Sequence, residues 1–138
     1  MTRETPPTIR RINPPELGIP PGYSQIVDVS ASRLVFIAGQ TALDRDGNLV
    51  GGNDVEAQAD QVFCNLGYAL AAAACTARDL VKLTVFVRDM AGLPHYRKAR
   101  DRFLGSVKPP AAPAITLVEV SKLFRDDLLI EIEAVAAS

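Results

Sequence analysis

A chain of 138 residues, 48% hydrophobic and 22% charged, has the size and balance of one domain around a single core. Its formal net charge of -1 hides no long block of one sign, which argues against nucleic acid as a partner and against a basic membrane-docking surface. No run of about 18 uncharged apolar residues occurs to form a spanning helix, and MTRETPPTIRR lacks the apolar stretch of a signal peptide, so a cytoplasmic location is expected.

More than half of the ten prolines fall in residues 1–22, which predicts an extended arm with a short edge strand over Thr8 to Ile12. The folded domain is then expected over residues 23–138. Gln25 to Val29 and Leu34 to Ala38 are rich in apolar and β-branched residues around the polar turn Ser30-Ala31-Ser32-Arg33, which predicts a hairpin. Arg45-Asp46-Gly47-Asn48 reads as a second turn.

From Asp54 to about Ala74, Val55, Ala59, Val62, Phe63, Leu66 and Leu70 recur at intervals of three and four, the spacing of an amphipathic helix capped by Asn53 or Asp54. Cys64 and Cys75 fall on that helix as read, about 16 Å apart along its axis and too far apart to bridge. Both are expected as buried small hydrophobes, since neither has the spacing of a metal or redox motif. Leu80 to Val87 reads as a buried strand, and Leu93 to Leu104 as a second helix ended by Gly105 and the Pro109-Pro110 pair. Ala114 to Val120 and Leu128 to Ala136 complete the strands around the charged turn Arg125-Asp126-Asp127.

This order predicts an α+β fold containing a βαβ unit, with both helices on one face of a mixed, mostly antiparallel sheet. The last strand carries Leu128, Ile130, Ile132, Ala134 and Ala136 on one side and Leu129 and Val135 among the glutamates on the other. Helices cover only one of those faces, so the chain is expected to bury the second against copies of itself.

Several strings in this order resemble the RidA (YjgF-like) family. They are Pro21-Gly22-Tyr23-Ser24-Gln25, Phe36-Ile37-Ala38-Gly39-Gln40, the run from Asp79 to Asp89, Pro113-Ala114 with Val118-Glu119-Val120-Ser121-Lys122-Leu123, and Ile130-Glu131-Ile132-Glu133-Ala134-Val135-Ala136. The resemblance implies a chorismate-mutase-like fold assembled as a homotrimer, with small-molecule clefts between subunits. It further implies hydrolysis of enamines and imines, such as 2-aminoacrylate, to 2-oxo acids and ammonia, without a metal or organic cofactor.

Such chemistry needs a cation for the substrate carboxylate, a polar group that orients water, and backbone donors where charge develops. The family places an arginine directly after the Pro-Ala string, where a planar guanidinium binds a carboxylate through two parallel hydrogen bonds. Here that position is Ile115, followed two residues later by Leu117. A carboxylate buried against an alkyl group lacks its partner, at a cost of several kcal/mol. By the same resemblance Glu131 matches the water-orienting glutamate, Tyr23 the cleft tyrosine, and Gly39 the glycine that brings ligand close to backbone N–H groups. Glu131 and Glu133 also fit the solvated face of an alternating strand, Tyr23 a packing anchor, and Gly39 a bulge.

Arg97 falls where the family has a cleft-facing asparagine, and a cation there would rebuild the clamp from the second helix. The bland reading of Arg97, Lys98, Arg100 and Arg102 is the solvated side of that helix. His95 is alone and reads as a surface residue at the helix start. Ser24, Ser30, Ser32 and Thr41 sit in turns without a Ser-His-Asp pattern, and no glycine-rich phosphate loop occurs. The expected function is thus a hydrolase acting on an imine, enamine or related C–N bond, distinct from a standard 2-aminoacrylate deaminase. The alternatives are a non-catalytic binding or interaction trimer, and an endoribonuclease-like activity.

Overall fold

The structure, a computed structural model, describes residues 6–138; the first five residues of the arm lie outside the described residues. Its elements in chain order are β1 (Thr8–Ile12), β2 (Ile26–Ser30), β3 (Leu34–Gln40), α1 (Val55–Ala72), β4 (Leu80–Val87), α2 (Leu93–Leu104), β5 (Ala114–Glu119) and β6 (Ile130–Ala137). The strands β3, β6, β4 and β5 form one sheet in that spatial order, and β1 pairs with β2 in a separate ribbon. The pairs β3–β6 and β4–β6 are antiparallel, whereas β4 and β5 are parallel and joined through α2 as the predicted βαβ unit.

Local chemistry sets these elements. Asp54 caps α1 by accepting from the N–H groups of Glu56 at 2.9 Å and Ala57 at 3.2 Å, an arrangement worth about 1 kcal/mol. Gly105 closes α2, its N–H donating to the Asp101 carbonyl at 2.9 Å. In β4 and β6 alternation decides the faces: Leu83, Val85, Val87, Ile130, Ile132, Ala134 and Ala136 are buried. They meet Val62, Phe63, Leu66 and Leu70 of α1 and Tyr96, Ala99 and Leu104 of α2 in one core. Each fully buried large apolar side chain contributes about 1.5–3 kcal/mol.

Both helices therefore cover one face of the sheet. The other face carries Phe36, Lys82, Thr84, Phe86, Glu131, Glu133 and Val135, and Phe36 is 75% exposed. Lys82, Thr84, Phe86, Glu131 and Val135 on this face are half-buried, and Glu133 is exposed.

The predicted hairpin is not formed. β2 runs antiparallel to β1 from Ile12↔Ile26 to Thr8↔Ser30, and β3 takes the C-terminal strand β6 as its partner from Leu34↔Ala137. The turn at Ser30 to Arg33 thus carries the chain from ribbon to sheet, each of the two strands pairing over its length with a partner elsewhere in the chain. The cysteine reading also needs correction. Cys75 is buried but lies beyond the end of α1, while Cys64 is exposed on the outer side of that helix.

Candidate functional site

Tyr23 is placed by its neighbour. The Ser24 hydroxyl donates to the Ala112 carbonyl and the Ser24 N–H to the Pro113 carbonyl at 3.1 Å, with a parallel bridge from Ser24 to Ala114. Two strings 90 residues apart in sequence are thereby clamped side by side, and Tyr23 is set at the entry of β5.

A cavity of about 310 Å³ opens there, walled by Tyr23, Met90, Leu93, Tyr96, Arg97, Arg100, Ile115 and Leu117. Four of the sequence-predicted residues, Tyr23, Arg97, Ile115 and Leu117, are thus brought together. Ile115 and Leu117 point to the helix side and pack on the core, so the cavity has an apolar strand wall without closing. Its size falls at the lower end for small-molecule sites. Arg97 is exposed at the rim.

Arg100 corrects the picture of a solvated basic cluster, because its side chain is only 8% exposed. Its Nε donates to Asp101 Oδ1 at 3.0 Å, and the guanidinium lies over the Tyr96 ring, 5.9 Å from the centroid. Arg102, also exposed, is tied to Asp60 at 2.9 Å and Glu56 at 3.0 Å, which leaves Arg97 and Lys98 as the exposed cations of the cluster without an ion pair among the described residues. The sequence reading overlooked Arg100 and Tyr96 as site residues. A signal existed: Leu93, Tyr96 and Arg100 follow the three–four spacing of the buried face.

The Tyr96 hydroxyl is the one buried side-chain polar atom without a hydrogen-bond partner among the described residues. Burial pushes its pKa up to about 12, against the opposing pull of the Arg100 charge, so the phenol stays protonated and remains a donor.

Glu131 and Gly39 form a second locus on the open face of the sheet. β3 carries one extra residue between the pairs Ile37↔Ala134 and Gln40↔Ile132, so Gly39 lies in an irregular stretch of the ladder. A Cβ on Gly39 would come within 2.8 Å of Glu131 Cδ, so the absent side chain leaves the space that the carboxyl group occupies. Glu131 is half-buried, and no hydrogen bond engages its carboxylate among the described residues. Leu117 and Glu131 belong to opposite faces of the sheet, so Tyr23 and Glu131 do not converge within one chain.

His95 is exposed at the start of α2, its Nδ1 3.7 Å from Glu56 Oε1. No group of three His, Cys, Asp or Glu side chains gathers for a metal ion among the described residues. No helix among them is long and apolar enough to cross a membrane. A larger cleft of about 650 Å³, between the 41–54 loop and α1, contains none of the predicted residues. Its amides are already engaged, Asn65 donating to the Thr41 and Leu43 carbonyls, each at 2.9 Å.

Comparison with known proteins bears out the family resemblance read from the sequence. The family model described as endoribonuclease L-PSP matches residues 18–138. A RutC family protein of Synechocystis is 37% identical over 115 residues, covering 83% of this chain and 84% of that protein. The mouse protein named 2-iminobutanoate/2-iminopropanoate deaminase is 39% identical over 116 residues, covering 83% of this chain and 79% of its own. Among solved structures, the Rid-family protein YyfB of Yersinia pestis, described as of unknown function, superposes with a TM-score of 0.82 at 34% identity. That match covers 94% of this chain and 98% of YyfB. With its two helices on one face of a mixed sheet and its matched span, the chain belongs to the endoribonuclease L-PSP family, the RidA/YjgF group.

Proposed function

We propose that this protein hydrolyses the C=N bond of a small imine, or of the enamine that tautomerises to it, in a site assembled between copies of the chain. The observation that carries the reading is the separation of two complementary loci. The helix-side cavity offers apolar walls and cations, while the open face offers Glu131 with no partner of its own. A homotrimer packed through the open sheet face brings Glu131 and Gly39 of one subunit to the Tyr23 cavity of the next, and covers Phe36. A deaminase name on a relative at 39% identity supports the reaction class.

In this reading water adds to the imine carbon, the carbon–nitrogen bond breaks, and ammonia leaves a 2-oxo product. Glu131 holds the attacking water and exchanges a proton with it. Tyr23 covers the ligand, and Ile115 and Leu117 contact its alkyl part, so substrates with a short apolar chain are favoured over 2-aminoacrylate.

The test is ammonia release from 2-iminobutanoate generated in situ, in wild type and in Glu131→Gln. Loss of a general acid–base group lowers such rates by about 100-fold or more. Equal rates in the two proteins would sink the role of Glu131, and no acceleration by wild type over buffer would sink the reaction.

A further inference from the structure

Arg100 belongs to α2, lies over Tyr96 and reaches the cavity beneath Tyr23. Its place has been cleared: Gly22 has φ +80°, and a Cβ there would overlap the guanidinium, meeting Cζ at 2.9 Å. Few partners use the charge. Asp101, itself 63% exposed, takes Nε at 3.0 Å, and Nη2 has only a long contact of 3.4 Å to the Pro21 carbonyl. Nη1 has no hydrogen-bond partner among the described residues. A buried guanidinium is costly to desolvate unless its donors are met, and fully buried polar atoms without partners are uncommon. At the cavity the Tyr96 hydroxyl is the buried donor without a partner, and Arg100 Nη1 makes no hydrogen bond among the described residues; Leu93, Ile115 and Leu117 supply the hydrophobic walls around them.

We infer that this cavity binds a small carboxylate, with Arg100 as its cation and the Tyr96 hydroxyl as a further donor, and with Ile115 and Leu117 against the alkyl end. The acid clamp is thus supplied by the helix, three residues beyond the exposed Arg97 and beneath the surface. Asp101 takes only Nε, and Nη2 lies against Gly22 and the Pro21 carbonyl, so Nη1 is the nitrogen left for a ligand. Gly22 is part of the device, since only a residue without a side chain fits below the guanidinium in that backbone conformation.

The inference rests on the hydrolase reading only for the choice of anion, and 2-oxobutanoate, the stable oxo counterpart of the imine, is the probe. Calorimetric titration of the full chain should show binding that falls at least tenfold in Arg100→Gln and recovers in part in Arg100→Lys. Tyr96→Phe keeps the ring and removes only the orphan hydroxyl, so it should melt no lower than wild type while binding at least threefold more weakly. Lys98→Gln, on the exposed side of the same helix, should match wild type. 2-Butanone, the same chain without the carboxylate, should bind wild type and Arg100→Gln alike.

Unchanged 2-oxobutanoate affinity in Arg100→Gln and Tyr96→Phe would overturn the inference. So would an equal loss of 2-butanone binding in Arg100→Gln, because Arg100 would then be only a strut for the cavity. Arg100-dependent binding without ammonia release from 2-iminobutanoate would keep the carboxylate site and remove the hydrolase. Ammonia release that ignores Arg100→Gln would do the reverse.

Discussion

The cavity under Tyr23 and the open face around Glu131 use one device for opposite charges. In each, a glycine leaves the space that a charged side chain occupies: Gly22 beneath Arg100, and Gly39 beneath Glu131. The backbones differ. Gly22 has φ +80°, a left-handed conformation that disfavours any side chain, whereas Gly39 is not in that region and lies beside a bulge. The surroundings differ too, since only 8% of the Arg100 side chain is exposed, while Glu131 is half-buried on the sheet face away from the helices. The cation is therefore fixed by the fold of a single chain, whereas the acid lies where the proposed assembly would bring a second copy against it.

Alanine at each glycine separates the two designs. Gly22→Ala forces an L-residue into the left-handed region, at about 1–2 kcal/mol, and also displaces Arg100. Its urea midpoint should fall together with its affinity for 2-oxobutanoate. Gly39→Ala meets only the movable end of Glu131, and alanine also restricts the unfolded chain, so stability should change by less than about 1 kcal/mol. Ammonia release should nonetheless drop, because the carboxylate is pushed off its position. If Gly39→Ala unfolds the protein as readily as Gly22→Ala, the claimed contrast between a fold-fixed and a surface-fixed charge is gone.

A smaller effect lies at high pH. Tyr96 has a folded pKa raised to about 12 by burial, above the ordinary tyrosine value. The sign follows from proton counts: below pH 10 both states hold the proton, whereas above it the unfolded chain releases it first and the folded state does not. The stability linked to this group is thus complete below pH 10 and is lost as pH rises through about 12. Melting temperatures of wild type should fall more steeply than those of Tyr96→Phe between pH 9 and 12. Parallel curves would mean that the phenol is less sealed than the cavity geometry indicates.

The same contrast governs what the sequence makes legible. β4 and α2 run over Leu80–Val87 and Leu93–Leu104, as their periodicity predicts, because alternation and three–four spacing are local properties. Strand pairing is not local. Nothing in Gln25 to Ala38 reveals that β2 pairs with the arm and β3 with the last strand, since apolar strands on either side of a polar turn look alike whichever partner they take. Polar anchors are hidden for a related reason. Gln58 is fully buried on the apolar side of α1, donating to the Gly52 and Asp127 carbonyls at 2.8 and 2.9 Å and accepting from the Leu129 N–H at 2.9 Å. Its three partners come from loops that only the fold brings together. Arg100 was concealed within a run of cations, although its spacing from Tyr96 places it on the inner side of the helix.

Arg97 supplies the finest test, because sequence alone makes it the natural replacement for the missing clamp. Its exposure at the rim changes that expectation. A charge in water acts on an anion at 4 Å with about 1 kcal/mol, and salt at physiological strength screens it over about 8 Å. Arg97→Ala should therefore weaken 2-oxobutanoate binding by less than about threefold, a loss that disappears in 0.5 M salt, with salt affecting the cavity cation much less. A tenfold loss in Arg97→Ala beside an intact affinity in Arg100→Gln would move the clamp to the rim. The helix would still carry it, but through a solvated side chain, and the clearance at Gly22 would be a matter of packing alone.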